Sequence, residues 1–197
     1  MRLAVVALGH VHAEDLAALT TRFEHLEQLV LDVPPRDELA KHRAEFNRAL
    51  DAASTDWVLI VREREVVDDA LAQEVLEAMK AAKAWGFRIA SVPFYAGQPL
   101  RLGRQEGELR LMHRRHVLRR GDLLVQGTVV RLTHALRSVT FTSYDEHRKH
   151  LAERAAPHSP LRRALLFVRY LLGSRTLDRN TLRYLWIEAG FDVPNNL

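Results

Sequence analysis

The stretch Asn47-Arg48-Ala49-Leu50-Asp51-Ala52-Ala53-Ser54-Thr55-Asp56-Trp57-Val58-Leu59-Ile60-Val61-Arg62-Glu63-Arg64-Glu65 decides how the chain is read. Its first part continues a helical face that begins near Asp37, with Leu39, Phe46 and Leu50 in line. Residues 57–61 then form an unbroken apolar run of strand length, the pattern of a strand buried on both faces. Four charged residues, 62–65, close it. A helix feeding a doubly buried strand is half of a βαβ unit, so the flanking sequence should repeat the alternation.

It does. Upstream, 3–8 is a short apolar run closed by Gly9. Residues 14–29 place Leu16, Leu19, Phe23 and Leu26 at helical spacing, and 28–32 is a second buried strand stopped by Pro34-Pro35. Downstream, Asp68 or Asp69 caps a helix that runs to about Ala84 through Leu71, Val75, Leu76 and Met79. Gly86 ends that helix and 87–93 is a fourth strand. The alternation predicts an α/β fold with a mostly parallel sheet, and ligands beyond the carboxyl ends of its strands. Those ends are Gly9-His10, Asp32-Val33 and Arg62 to Glu65.

From residue 98 the texture changes. Segments 108–113, 123–126 and 128–132 read as short antiparallel strands punctuated by Gly103, Gly107, Gly121 and Gly127, a β-rich insert. From Tyr144 onward the chain reads as helix, over about 144–156, 160–172 and 177–189. The expected division is an α/β domain over 1–143 and a C-terminal helical extension over 144–197.

A length of 197 residues suits one domain, or one with a small appendage. The absence of cysteine excludes disulfides, thiolate metal sites and a cysteine nucleophile. The net charge of +4 hides an imbalance: residues 1–99 carry 11 basic and 16 acidic groups, and residues 100–197 carry 18 and 9. The basic half suggests a polyanionic neighbour, namely phosphate, nucleic acid or anionic lipid, or else a solvated charged surface. No recognised nucleic-acid motif accompanies it, which disfavours nucleic acid as a partner. The opening apolar run stops at Gly9-His10 without a cleavage pattern, and no run approaches the roughly 18 residues of a membrane span. A cytoplasmic location is expected, with peripheral contact at the inner membrane face as an option.

The central stretch resembles family 2 glycosyltransferases of the GT-A fold, most closely the bacterial branch that assembles lipopolysaccharide core and other surface glycans. In that family an Asn-x-Ala-Leu helix leads into Asp-Trp-Val-Leu, matched here by Asn47 to Leu50 and Asp56 to Leu59. Arg110-Leu111-Met112-His113-Arg114 sits where the family has Arg-Leu-Phe-Arg-Arg, with Gly97 ahead of it. Ser143-Tyr144 and Leu177-Asp178 resemble two later family positions, so the likeness spans roughly 40–185. It implies a GT-A-like sheet with a shortened N-terminal nucleotide-binding part. It also implies a nucleoside diphosphate sugar as donor, with a glycan or lipid-linked acceptor, or another transferase, as partner.

The departures fall on the chemistry. The family's strand ends in Asp-Ala-Asp, whose carboxylates hold a divalent cation on the donor diphosphate; here Arg62 and Arg64 stand at both positions. Arginine has no lone pair to offer and stays protonated, so no metal cofactor is expected at this place. Gln126-Gly127 replaces the family's His-Glu, and Phe141 replaces a histidine before Ser-Tyr. Two readings follow. In one, catalysis is lost and the fold persists as a pseudoenzyme. In the other, Arg62 and Arg64, with Asp32, His10 and Arg110, hold the diphosphate without metal, and Glu63, Glu65 or Asp68 serves as base. A non-enzymatic binder of polyanions or membrane surfaces is a further alternative.

Three other features carry two readings each. The pairs His10/His12, His113/His116 and His147/His150 have metal-ligand spacing but no obvious third ligand. The cluster 114–120 is a phosphate or acceptor patch, or a solvated face. The basic amphipathic segment 160–172 either lies on an anionic membrane or docks on the domain. Tyr184 and Trp186 are expected in a core or a subunit interface.

Overall fold

A computed structural model describes residues 1–32, 39–100, 107–119, 123–154, 165, 167–168 and 178–189. The chain runs β1 (Arg2–Leu8), a 3-10 turn, α1 (Ala17–Arg22), β2 (His25–Leu31), α2 (Arg43–Ala52), β3 (Trp57–Arg62), β4 (Glu65–Val66) and α3 (Asp69–Ala81). It continues through β5 (Gly86–Ile89), β6 (Ser91–Tyr95), β7 (Gln98–Pro99), β8 (Glu108–His113), β9 (Val117–Leu118), β10 (Leu124–Val125), β11 (Val129–Arg131) and β12 (Leu136–Phe141). Helices α4 (Tyr144–Arg154) and α5 (Arg179–Glu188) follow. It divides into two units, Met1–Ser91 with Glu106–Arg137, and Val92–Gln105 with Ser138–Leu197, whereas the sequence suggests a single cut after 143.

The first unit is a mixed α/β body around a six-stranded sheet of order β11-β5-β8-β3-β1-β2. β1 pairs in parallel with β2 and β3, and β11 in parallel with β5. β8 alone runs antiparallel, wedged between β3 and β5. Two stacked cores follow from the two-residue period of the strands. Leu3, Val5, Ala7, Leu59 and Val61 face Leu16, Leu19 and the α3 residues Leu71, Val75 and Met79. Ala4, Val6, Leu8, Val58 and Ile60 face Phe46 and Leu50 of α2, with Met112 and Val125. Phe46 and Leu50 are fully buried, worth about 2 kcal/mol each. α3 begins as the sequence predicts: the Asp68 carboxylate accepts the Leu71 N–H at 2.9 Å.

In the second unit β12 neighbours β6, which pairs with β7. Tyr95, Leu100 and Ile187 form its core, with Phe141, Tyr144, Leu151 and Tyr184 packed around them. Asp178 caps α5 by accepting the Thr181 N–H at 3.0 Å.

Several expectations are corrected. The first helix stops at Arg22, and β2 starts at His25 because its full length pairs with β1 from Arg2↔His25 onward. The 87–93 strand is two strands, β5 and β6, in different sheets. Segment 108–113 is no insert but a central member of the main sheet, and 128–132 pairs in parallel rather than antiparallel. β12 was not legible as a strand. Of the expected helix 160–172, only the helical residues 165, 167 and 168 are described; the rest lies outside the described residues, as does the loop 33–38.

Candidate functional site

The site is built at the carboxyl ends of β1 and β3, which lie side by side through Leu8↔Arg62. β3 ends in a turn whose Arg64 takes φ 63°, the left-handed region that costs a non-glycine residue about 1–2 kcal/mol. Two hydrogen bonds hold it there. The Glu63 N–H donates to the Leu8 carbonyl at 2.8 Å, and the Arg62 N–H donates to Glu65 Oε2 at 2.8 Å. The turn therefore folds the Glu65 carboxylate back over its own strand end.

β8, being antiparallel, starts where β3 and β5 finish, so Glu108 and Arg110 arrive at this same end. Arg110 is 2% exposed and Glu65 3%. Their fork is bidentate, with Nη2 on Oε1 at 2.9 Å and Nη1 on Oε2 at 3.2 Å. Such pairs recover in geometry what two ions lose in hydration. Glu108 Oε2 bridges the second pair of cations, 2.9 Å from Arg62 Nη2 and 3.3 Å from Arg110 Nη2. Burial alone would push the Glu108 carboxyl up, but the Arg110 and Arg62 guanidiniums outweigh it and hold it below the ordinary carboxylate range. Burial draws the Arg110 guanidinium down, Glu65 opposing and Arg62 adding repulsion. Arg88 donates from Nη1 to the Gly107 carbonyl at 3.2 Å. The buried Arg110 Nε has no partner among the described residues.

Arg62, Arg88, Glu108 and Arg110 line an open pocket of about 230 Å³, with Leu8, Ile60, Leu109 and Leu123 as its apolar wall. Of the residues singled out in the sequence, Arg62 and Arg110 reach it. Glu65 sits behind Arg110 with both oxygens engaged, which leaves no free lone pair aimed at a substrate proton. Asp68 is occupied as the α3 cap and by Arg137, whose Nε and Nη2 lie 3.2 and 3.1 Å from its Oδ2. Arg64, His10 and Asp32 are exposed and do not line the pocket. His10 meets His12 edge-on, ring centroids 4.6 Å apart. Glu63, partly exposed, is held by its backbone.

Sequence reading missed Glu108 and Arg88. The signal for Glu108 was partial: it sits two residues before Arg110 on a strand aimed at a basic strand end, but an irregularity opposite Phe87 and Arg88 breaks the simple alternation there. What was lacking was the register that sets residue 108 against residue 62.

The positions where the resemblance expects other residues have structural occupants. Gly127 takes φ 113°, and a Cβ there would stand 2.7 Å from Trp85 Cδ1, so no acid–base side chain fits. Trp85 stacks on His116 at 4.1 Å and 9°, and His113 sits edge-on to Trp57 and Trp85. Burial depresses the His113 imidazole, favouring its neutral form. The basic cluster is largely consumed locally. Arg114 Nη1 caps α2 through the Ala53 carbonyl at 2.6 Å, Arg115 meets Asp56 at 3.2 Å and Arg119 meets Asp51 at 2.8 Å. In the second unit Phe141 stacks on the buried His147.

Among the described residues no group of three or more histidine or acidic side chains is placed to hold a metal ion. No helix among them is long and apolar enough to cross a membrane. Leu165 and Val168 are 63% and 50% exposed, while Phe167 meets Trp186 edge-on at 5.0 Å. No family model and no curated protein matches the chain.

Proposed function

We propose that this chain is a glycosyltransferase-like protein of GT-A type, from bacterial surface polysaccharide or lipopolysaccharide assembly, in which metal-dependent catalysis has been lost and a strand-end binding pocket retained. It acts as a binding or scaffold partner of a glycan, a lipid-linked acceptor or a genuine transferase. One observation carries the reading. Where the resemblance expects two metal-holding carboxylates stand Arg62 and Arg64, and the carboxylates that do reach this strand end, Glu65 and Glu108, are each tied to arginine. A cation would have to displace guanidiniums to reach them. The mostly parallel sheet with its pocket at the carboxyl ends of β1 and β3 supports the same reading.

The test is turnover and binding of a panel of nucleoside diphosphate sugars with and without Mn²⁺. Neither Mn²⁺-dependent binding nor sugar transfer or donor hydrolysis is expected; either one would sink the reading. A second reading, a metal-free transferase with an arginine clamp, is favoured by the three arginines that line the pocket. It requires metal-independent binding of a sugar nucleotide that disappears in Arg62→Ala, Arg64 lying outside the pocket lining.

A further inference from the structure

We infer that the pocket at the ends of β1 and β3 takes a compact tetrahedral dianion, a sulfate or small phosphate ester, by displacing Glu108, which is its built-in counter-anion. The inference rests on the reading of this pocket as a retained, metal-free binding site.

Charge comes first. Arg62, Arg88 and Arg110 line the pocket, while Glu65 and Glu108 are the acidic groups paired to them. Among these five groups one positive charge is left over, and Arg88, bonded to the uncharged Gly107 carbonyl, carries it. With Glu108 swung out, two are left over. Glu108 is built for that movement: its side chain is 56% exposed, whereas Glu65 is 4% exposed and locked by three hydrogen bonds. The Glu108 oxygen bridging Arg62 and Arg110 already occupies the place of a ligand oxygen. The buried Arg110 Nε has no partner among the described residues.

Chemistry then selects the ligand. A free monocarboxylate only exchanges like for like with Glu108, and the tethered carboxylate wins through its effective concentration, of millimolar order or more. A tetrahedral dianion carries twice the charge and more acceptor oxygens, enough for several guanidiniums at once. Size sets the upper bound on the enclosed part. The cavity of about 230 Å³ lies below the roughly 300–1,000 Å³ of sites that enclose drug-sized ligands. Inside it fits a phosphate with at most a small polar substituent, and any larger ligand would extend through the open side.

The full chain is titrated at pH 7 and constant ionic strength with sulfate, inorganic phosphate and glucose 1-phosphate, followed by calorimetry and backbone amide shifts. Acetate and UDP serve as the monoanion and nucleotide comparisons. The dianions are expected to shift the amides of residues 62, 88 and 108–110, with acetate silent. Glu108→Gln, near-isosteric and half-exposed, is expected to tighten the dianions at least about tenfold, and Arg88→Ala to weaken them about tenfold. Glu108→Ala repeats the gain if the glutamine variant misfolds. Unchanged or weaker dianion binding in both Glu108 variants would overturn the inference, as would UDP binding tighter than phosphate. Mn²⁺-dependent sugar-nucleotide turnover would instead remove the reading beneath it, and is scored in a separate assay.

Discussion

Among the described residues each unit holds a buried polar cluster, and the two are held by different physics. In the first, Arg110 and Glu65 form a bidentate ion pair under near-complete burial. In the second, His147 is fully buried between the rings of Phe141, 4.3 Å away at 11°, and Tyr184, at 22°. Its Nε2 lies 2.8 Å from Glu188 Oε2 and its Nδ1 3.0 Å from the Tyr95 hydroxyl. A carboxylate only accepts, so Nε2 carries a proton. Burial, reinforced by Tyr144 and Tyr184, pushes the Tyr95 phenol upward, so it stays protonated. One cluster depends on keeping two ions together beside an opening; the other depends on ring packing around satisfied nitrogens. Burial of polar atoms therefore does not by itself mark a site.

The largest break in this comparison is Arg110→Met, which strands Glu65 as a buried unpaired ion. It should cost about 3–5 kcal/mol by urea unfolding, and adding Glu65→Met should restore most of that. Tyr95→Phe, the matching deletion in the second unit, removes one neutral hydrogen bond and should cost only about 1–2 kcal/mol. Equal losses for the two would abolish the distinction. The helix caps sharpen it from the other side. Asp68→Ala before α3 and Asp178→Ala before α5 remove the same cap geometry, and each should cost about 1 kcal/mol by the same measurement. The smallest effect is on pH. The Glu108 carboxyl is held below its ordinary value of 4.5, so its contribution is complete above that value and is lost as pH falls through the lower folded one. Stability measured from pH 6 downward should therefore decline less steeply in Glu108→Gln than in the unaltered chain.

The sequence reveals what depends on local pattern. The runs at 3–8 and 57–61 and the Asp68-capped helix are recognisable because apolar burial and capping leave their mark within a few residues. β2 begins earlier than expected because Leu26 fits a helical period as well as a strand, and pairing with β1 decides between them. β12, with Arg137, Ser138 and Thr140 among its residues, shows neither clean alternation nor an apolar run. The pocket opens at the strand ends where the sequence leads one to look for a ligand, and Arg62 and Arg110, both singled out there, line it. The partners of Arg62 were not legible, since a contact between residues 62 and 108 is a matter of sheet register, which no local window contains.

The wedged position of β8 bears on how the chain emerges during synthesis. β1, β2, β3 and β5 are all complete by Ile89, yet β3 and β5 are joined only through a strand that begins at Glu108. Until that strand arrives the nascent sheet has a gap of about two strand spacings, close to 10 Å, flanked by unpaired edges. Those edges expose the backbone of β3, with its five consecutive apolar residues, an invitation to pairing with another copy. Completion of the sheet is therefore a late, long-range event, and a chain halted before residue 108 should aggregate rather than settle into a smaller version of the same fold.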